Sequence, residues 1–304
     1  MSSSQSILWF RNDLRLADNP ALIAALDSGC VIPVFIWSPE EEGDWQPGAA
    51  SRWWLHQSLK ALSASLTGRG SRLILRKGRS IHVLLELLRE TQAQSVFFSN
   101  RFEPALLKRD KEVVGQLKNA GYSVRSFNSF LFEDPSRITT QSGSPFKVFT
   151  RFWKASMASV DVPRPIDAPD AVQGPKRWPR SLKLDDLELE PKIDWAGGMR
   201  ESWQPGEAGA WAQWNRFLKQ GAKEYAGGRN LPAQPGTSRL SPHLRFGEIS
   251  PRQIWHELVG GAGKHIFALR QSRAVSCRVG LARVCQLFTF SFSRNARKTA
   301  SARI

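Results

Sequence analysis

The chain has 304 residues, of which 41% are hydrophobic and 23% charged, with a formal net charge of +16. This is a globular composition long enough for one large domain or two ordinary ones, and it excludes a disordered chain. No run of about 18 apolar residues is present, and the opening MSSSQSILWFRND lacks a basic segment, apolar core and cleavage site. A membrane span is thereby excluded, and an unprocessed cytoplasmic protein is expected.

The first 130 residues alternate strand and helix signals. Apolar or β-branched runs at 7–10, 31–37, 72–78, 95–100 and 122–127 read as strands. Helical patterns lie between them at Pro20–Asp27, Ala50–Leu66, Ser80–Thr91 and Pro104–Ala120. In the second of these, Trp54, Leu55, Ser58, Leu59, Leu62 and Leu66 recur at helical spacing. Such alternation predicts an α/β fold: a doubly wound parallel sheet covered on both faces, binding its ligand at the carboxyl ends of the strands. The first strand leads into WFRNDLRLADNPAL, not into G-x-G-x-x-G, which disfavours an ordinary nicotinamide dehydrogenase.

Beyond residue 129 the periodicity lapses. Seven prolines punctuate residues 160–205, which read as a long connector crossing the surface. A helix returns at Glu207 and is expected to run to Gly227 and Gly228. Trp211, Trp214, Leu218, Ala222 and Tyr225 share one face of it, as a core stripe does, and the Tyr225 hydroxyl sits at its end.

The segment GTSRLSPHLRFGEISPRQIWHEL follows. Thr237, Ser238 and Ser241 offer three hydroxyls and Arg239 a fork of donors. Ser241 with Pro242, and Ser250 with Pro251, read as helix caps followed by a first-turn proline. A phosphate or diphosphate site and a plain capped loop both satisfy these residues.

No metal-ligand spacing surrounds the three cysteines, Cys30, Cys277 and Cys285. Residues 258–304 carry nine basic and no acidic residues, so +9 of the net charge belongs to them and +7 to residues 1–257. The body is still basic enough for a polyanionic partner.

Two motifs, WFRNDLRLADNPAL and YAGGRNLPAQPGTSRLSPHLRFGEISPRQIW, resemble the photolyase/cryptochrome family, most closely its bacterial cyclobutane pyrimidine dimer photolyases. GSPFKVFTRFWKA and WNRFLKQGAKEY match in order and spacing. The resemblance implies an antenna domain over residues 1–133, a connector over 134–206 and the start of a helical FAD-binding domain over 207–267. It implies that Tyr225, Thr237, Ser238, Arg239, Leu240 and Ser241 hold the FAD phosphates and that Arg229 lies near the DNA backbone. The implied reaction is light-driven repair of pyrimidine dimers in damaged DNA by electron transfer from flavin to a flipped-out lesion. The alternative is a cryptochrome-like blue-light photoreceptor without repair. A monomer is implied, with a second chromophore: methenyltetrahydrofolate ahead of a deazaflavin. Glu103 in NRFEPALLKRD lacks the family's Asn-Glu pair after it, so it reads also as an acid at a helix N-terminus.

The resemblance ends near Phe267. Codons permitted for Leu281–Ala296, read from the second base, spell WREFASYLLFHFPET, which is like the block the family has next. Residues 268–304 are therefore expected to be an out-of-frame tail, with a frameshift between about residues 264 and 275. On that expectation the ring-side flavin contacts and catalytic residues are missing. FAD binding and activity are then weak or absent, and Trp211, Trp214 and Trp255 are partly uncovered. The gene's nucleotide sequence beyond codon 260 checks this. The shifted register should stay open and continue with Trp-rich helical sequence; a shifted frame without it contradicts the frameshift.

Overall fold

The computed structural model describes residues 4–131, 138–140, 142–148, 150–152, 154–155, 162–222, 224–231 and 233–260. The expected out-of-frame tail lies outside them. Five strands form one parallel sheet: β1 (Gln5–Phe10), β2 (Cys30–Trp37), β3 (Ile74–Lys77), β4 (Ser95–Ser99) and β5 (Ser123–Phe127). Their order is β3-β2-β1-β4-β5. Four helices connect them: α1 (Pro20–Asp27), α2 (Ala49–Thr67), α3 (Ser80–Thr91) and α4 (Pro104–Asn119).

Alternate side chains of a strand point to opposite faces. Leu8 and Phe10 of β1 therefore join Phe35 and Trp37 of β2 under α1 and α2. Ile7 and Trp9 join Val34 and Ile36 under α3 and α4. Every residue of β2 is buried, as expected of a parallel strand covered on both sides. The doubly wound α/β architecture is as the sequence predicts.

After β1, loop 11–19 folds upon itself. The Asp13 carboxylate accepts from the Arg11 amide at 2.7 Å and from the Ser99 hydroxyl at 2.5 Å. Asn19 caps α1 by accepting from the Leu22 amide, and Pro20 takes the first turn, where its missing N–H costs nothing.

Further α-helices among the described residues are α5 (Gly197–Ser202), α6 (Glu207–Gln220), α7 (Tyr225–Gly228), α8 (Ser241–Phe246) and α9 (Pro251–Gly260). The single helix expected from Glu207 is thus two. Glycine is a poor helix residue, and the chain turns at Gly221, whose amide bonds the Phe217 carbonyl. The turn still delivers Trp214, Ala222 and Tyr225 to one cluster with Leu240, Leu244, Ile249 and Ile254. Trp214 is 1% exposed, against the expectation that it would be partly uncovered; Trp211 and Trp255 are half-buried.

The connector does more than cross the surface. Val172, Leu187, Leu189 and Ala196 complete the core over α2. The Leu182 amide bonds the Leu75 carbonyl, and the Leu75 amide bonds the Ser181 hydroxyl, so the connector covers the edge strand β3.

Loop 11–19 also meets the helical half. The Leu14 amide donates to the Phe246 carbonyl, and the Leu16 and Ala17 amides donate to the Glu207 carboxylate. Burial pushes the Glu207 carboxyl up, and those two amides partly oppose it. The Glu248 carboxylate, with no exposed surface, accepts from Trp54 Nε1 at 2.9 Å and from the Ser58 hydroxyl, and pairs with His243 Nδ1 at 2.5 Å. Gly247 has φ +67°, and a Cβ there would stand 1.9 Å from the Asn12 carbonyl oxygen. Only glycine lets the α8–α9 turn approach the loop so closely.

Below the loop, Arg11 Nη1 bonds Asp110 Oδ2 at 2.6 Å, and Arg109 Nη2 bonds Asp110 Oδ1 at 2.7 Å. Burial alone would push the Asp110 carboxyl up, but Arg11 and Arg109 outweigh it and hold it below its ordinary value. A carboxylate lowered on folding contributes its stability above its unfolded pKa of about 3.9 and loses it as pH falls through the folded value. Asp110→Asn leaves the Arg11 guanidinium buried without its counter-charge. The variant should lose about 3–5 kcal/mol in urea unfolding at neutral pH and show a shallower loss of stability on the acid side. A loss below about 1 kcal/mol with an unchanged acid limb would contradict this pairing.

Candidate functional site

Of the residues expected at a phosphate site, Thr237, Arg239 and Ser241 are exposed and Ser238 is half-buried. Tyr225 and Leu240 are buried in the helical core, the Tyr225 ring standing edge-on to Phe217 at 5.6 Å. The polar members thus face outward from a base made by the apolar ones. Two turns meet to build this arrangement. A Cβ on Gly236 would lie 2.4 Å from the Gly228 carbonyl carbon, so the backbone after Tyr225 touches the backbone before Thr237. Gln213 Nε2 bonds the Ser238 carbonyl at 3.2 Å, tying the run to α6.

Ser241 is the first residue of α8 rather than its cap. Leu240 already has helical backbone angles and takes the cap position without a side-chain bond. At α9 the expected cap is present and reciprocal: the Gln253 amide donates to Ser250 Oγ and the Ser250 amide to Gln253 Oε1. Ser250 Oγ in turn donates to Asp18.

Arg239 has φ +51°, an uncommon conformation for a side-chain-bearing residue and one frequent at ligand clamps. Its guanidinium carbon lies 4.0 Å above the ring of Trp203. Arg229 is half-buried over the Tyr225 ring at 5.7 Å.

A second feature opens at the carboxyl ends of β1, β2 and β4. It is a cavity of about 150 Å³ with Trp9, Phe35 and Trp37 in its wall and with Arg11, Arg101, Arg109 and Arg245 beside them. Chain connections leave β1 and β4 in opposite directions here, the usual ligand crevice of an open α/β sheet. Trp9 Nε1 and Arg11 Nε and Nη2 are buried without hydrogen-bond partners among the described residues. An acceptor-bearing ligand answers such donors.

Glu103 occupies the cap position of α4 but makes no cap bond. Its carboxylate receives two bonds from Arg101, at 2.7 and 3.0 Å. Burial pushes it up, yet Arg101 dominates and the carboxyl is held well below the usual carboxylate range. Arg245 reaches the same carboxylate only at 3.9 Å and is 42% exposed. These arginines escaped the sequence reading. The available signal was position: Arg11 is the first residue after β1 and Arg101 the second after β4.

The DNA photolyase family model matches residues 6–170. A deoxyribodipyrimidine photo-lyase of Agrobacterium fabrum is 43% identical over 268 residues, 88% of this chain and 55% of that protein. Cryptochrome-2 of Arabidopsis thaliana is 40% identical over 83% of this chain and 42% of its own length. The crystal structure of a bacterial class III photolyase from Agrobacterium tumefaciens superposes with a TM-score of 0.87 at 39% identity, covering 96% of this chain and 60% of that one. The chain thus spans about half the length of the curated relatives it matches. With the family model matching more than half of its residues, and with the sheet and helical half it shares with the class III photolyase, the chain belongs to the DNA photolyase family.

Proposed function

We propose that this protein serves light-driven, FAD-dependent repair of pyrimidine dimers in DNA, and that the run Thr237–Ser241 holds the flavin's diphosphate. The observation that carries this is the outward-facing set of Thr237, Ser238, Arg239 and Ser241 on a buried base, in a DNA photolyase chain. Hydroxyls donate to phosphate oxygens, and a guanidinium adds charge-assisted bonds in a fork geometry. The contact between Gly228 and Gly236 keeps side-chain bulk out of the cradle. When bound, reduced FAD supplies on excitation the electron that opens the cyclobutane ring. The residues' own task is to anchor and orient the diphosphate. Arg229 contributes a DNA phosphate contact.

The domain assignment follows the same reading: residues 1–133 are the antenna domain, 134–206 the connector and 207–267 the beginning of the FAD-binding domain. A second chromophore occupies the cavity between β1, β2 and β4. Its aromatic wall suits a conjugated ring, and the unfilled donors of Trp9 and Arg11 suit ring acceptors. Arg245, only weakly paired, suits an acidic tail. Of the two chromophores the resemblance implies, we propose methenyltetrahydrofolate; a deazaflavin bound in preference would replace it. The Arabidopsis cryptochrome relative keeps photoreception without repair as the rival reading, and light-dependent loss of dimers from DNA decides between them.

In a protein with the reading frame restored, Arg239→Ala should weaken FAD and pyrophosphate binding by about tenfold to a hundredfold in calorimetric titration, from loss of charge-assisted bonds worth roughly 1.5–3 kcal/mol. Arg229→Ala should leave both affinities intact while lowering affinity for dimer-containing DNA, with a salt slope shallower by about one unit. Exchange of these two phenotypes would mean that the roles are misassigned.

Arg245→Ala should lower folate affinity by about tenfold, read from absorbance on reconstitution, while pyrophosphate binding holds. Unchanged folate binding would remove Arg245 from the chromophore site.

A further inference from the structure

We propose that Trp203, a residue of the connector, is the positioning residue that sets Arg239 for the flavin diphosphate. This rests on the diphosphate reading above. Arg239 is exposed, and among the described residues no carboxylate pairs with it. Left to itself, such a side chain samples many rotamers, and fixing one costs conformational entropy. Yet its guanidinium carbon lies 4.0 Å from the centre of the Trp203 ring, well inside cation–π range.

Trp203 is itself held. Its ring packs edge-on against Trp54 at 5.4 Å and tilts against His243 at 6.3 Å. Its amide donates to the Met199 carbonyl at 3.0 Å. Trp54 is fixed in turn, because its Nε1 donates to the buried Glu248 carboxylate. A line of constraint therefore runs from Glu248 through Trp54 and Trp203 to Arg239. It begins in α2 and the α8–α9 turn and reaches the binding run from outside.

The choice of an indole as holder has a chemical consequence. A carboxylate would also fix Arg239, but it would occupy the N–H donors and neutralise the charge that a diphosphate requires. A ring face fixes the guanidinium plane while the N–H groups, which lie in that plane, stay available to phosphate oxygens. The same contact braces a backbone that sits at φ +51° before any ligand arrives.

Trp203→Leu keeps apolar bulk and removes the ring. On the full chain it should weaken both FAD and pyrophosphate binding about threefold to fivefold, the magnitude of an exposed cation–π contact. Trp203→Phe keeps a ring face and should stay within about twofold of the parent. In an Arg239→Ala background, Trp203→Leu should have no further effect, because the contact is already gone. Urea midpoints for all variants show whether folding is intact. A Trp203→Leu effect of equal size in both backgrounds, or none in either, overturns the proposal and leaves the diphosphate reading standing. A parent chain that binds neither FAD nor pyrophosphate, or an Arg239→Ala variant with unchanged affinity, overturns the diphosphate reading and the role of Trp203 with it.

Discussion

One guanidinium, that of Arg15, with 1% of its surface exposed, donates to three main-chain carbonyls. They belong to Asp18 in its own loop, to Ser129 beyond β5 and to Gly247 in the α8–α9 turn, at 2.8–2.9 Å. Burial works against this charge, and Asp18 and Asp13 oppose the penalty. Carbonyl acceptors from three separate segments converge only if all three are in place, so the bond set ties the sheet, the segment after it and the helical half into one arrangement. The neighbouring contacts of loop 11–19 repeat the principle. Glu207 receives two loop amides, and Asp18 receives Ser250 and Arg252. Buried partners of this kind are costly to separate, because each leaves the other unsatisfied.

Placement of both candidate sites follows from that junction. Helix α8 is six residues long: it begins at Ser241, the last residue of the polar run, and ends with Arg245 and Phe246 in the wall of the cavity. Its turn into α9 passes Gly247 against Asn12 and returns Glu248 to Trp54 and Ser58 of α2. A helix fixed at its C-terminal end by buried bonds cannot tilt at its N-terminal end without disturbing them. The geometry of the run Thr237–Ser241 is thereby set by the same contacts that close the cavity.

Much of this was legible in the sequence, for reasons tied to particular residues. The strands stood out because parallel strands buried on both faces are unbroken apolar runs, as CVIPVFIW is. Ser250-Pro251 announced α9 through cap chemistry that is local in the chain. The break at Gly221 was hidden because Trp214, Ala222 and Tyr225 keep helical spacing across it and still share a cluster. The polar run was visible in its side-chain types. Trp203 was not, because its contact with Arg239 joins the connector to a distant loop and leaves no local pattern. The arginines of the cavity were equally scattered, lying after β1, after β4, in α4 and in α8.

The distribution of paired and unpaired charge distinguishes scaffold from site. Asp18, Asp110 and Glu248 are each answered by buried partners, as folding requires of charge removed from water. Two cations of the candidate sites depart from that pattern. Arg239 is held by a ring face and not by an acid, and Arg245 reaches an already occupied carboxylate at 3.9 Å. Both residual charges are positive, both are partly accessible, and both sit on elements made rigid by the junction behind them. A fixed cation without a counter-charge, on a rigid support, loses little by way of ordering when an anion arrives. These two charges therefore lie where two acidic ligands of the DNA photolyase family, a diphosphate and a chromophore's acidic tail, are proposed to bind. The paired charge lies where the chain must hold itself together.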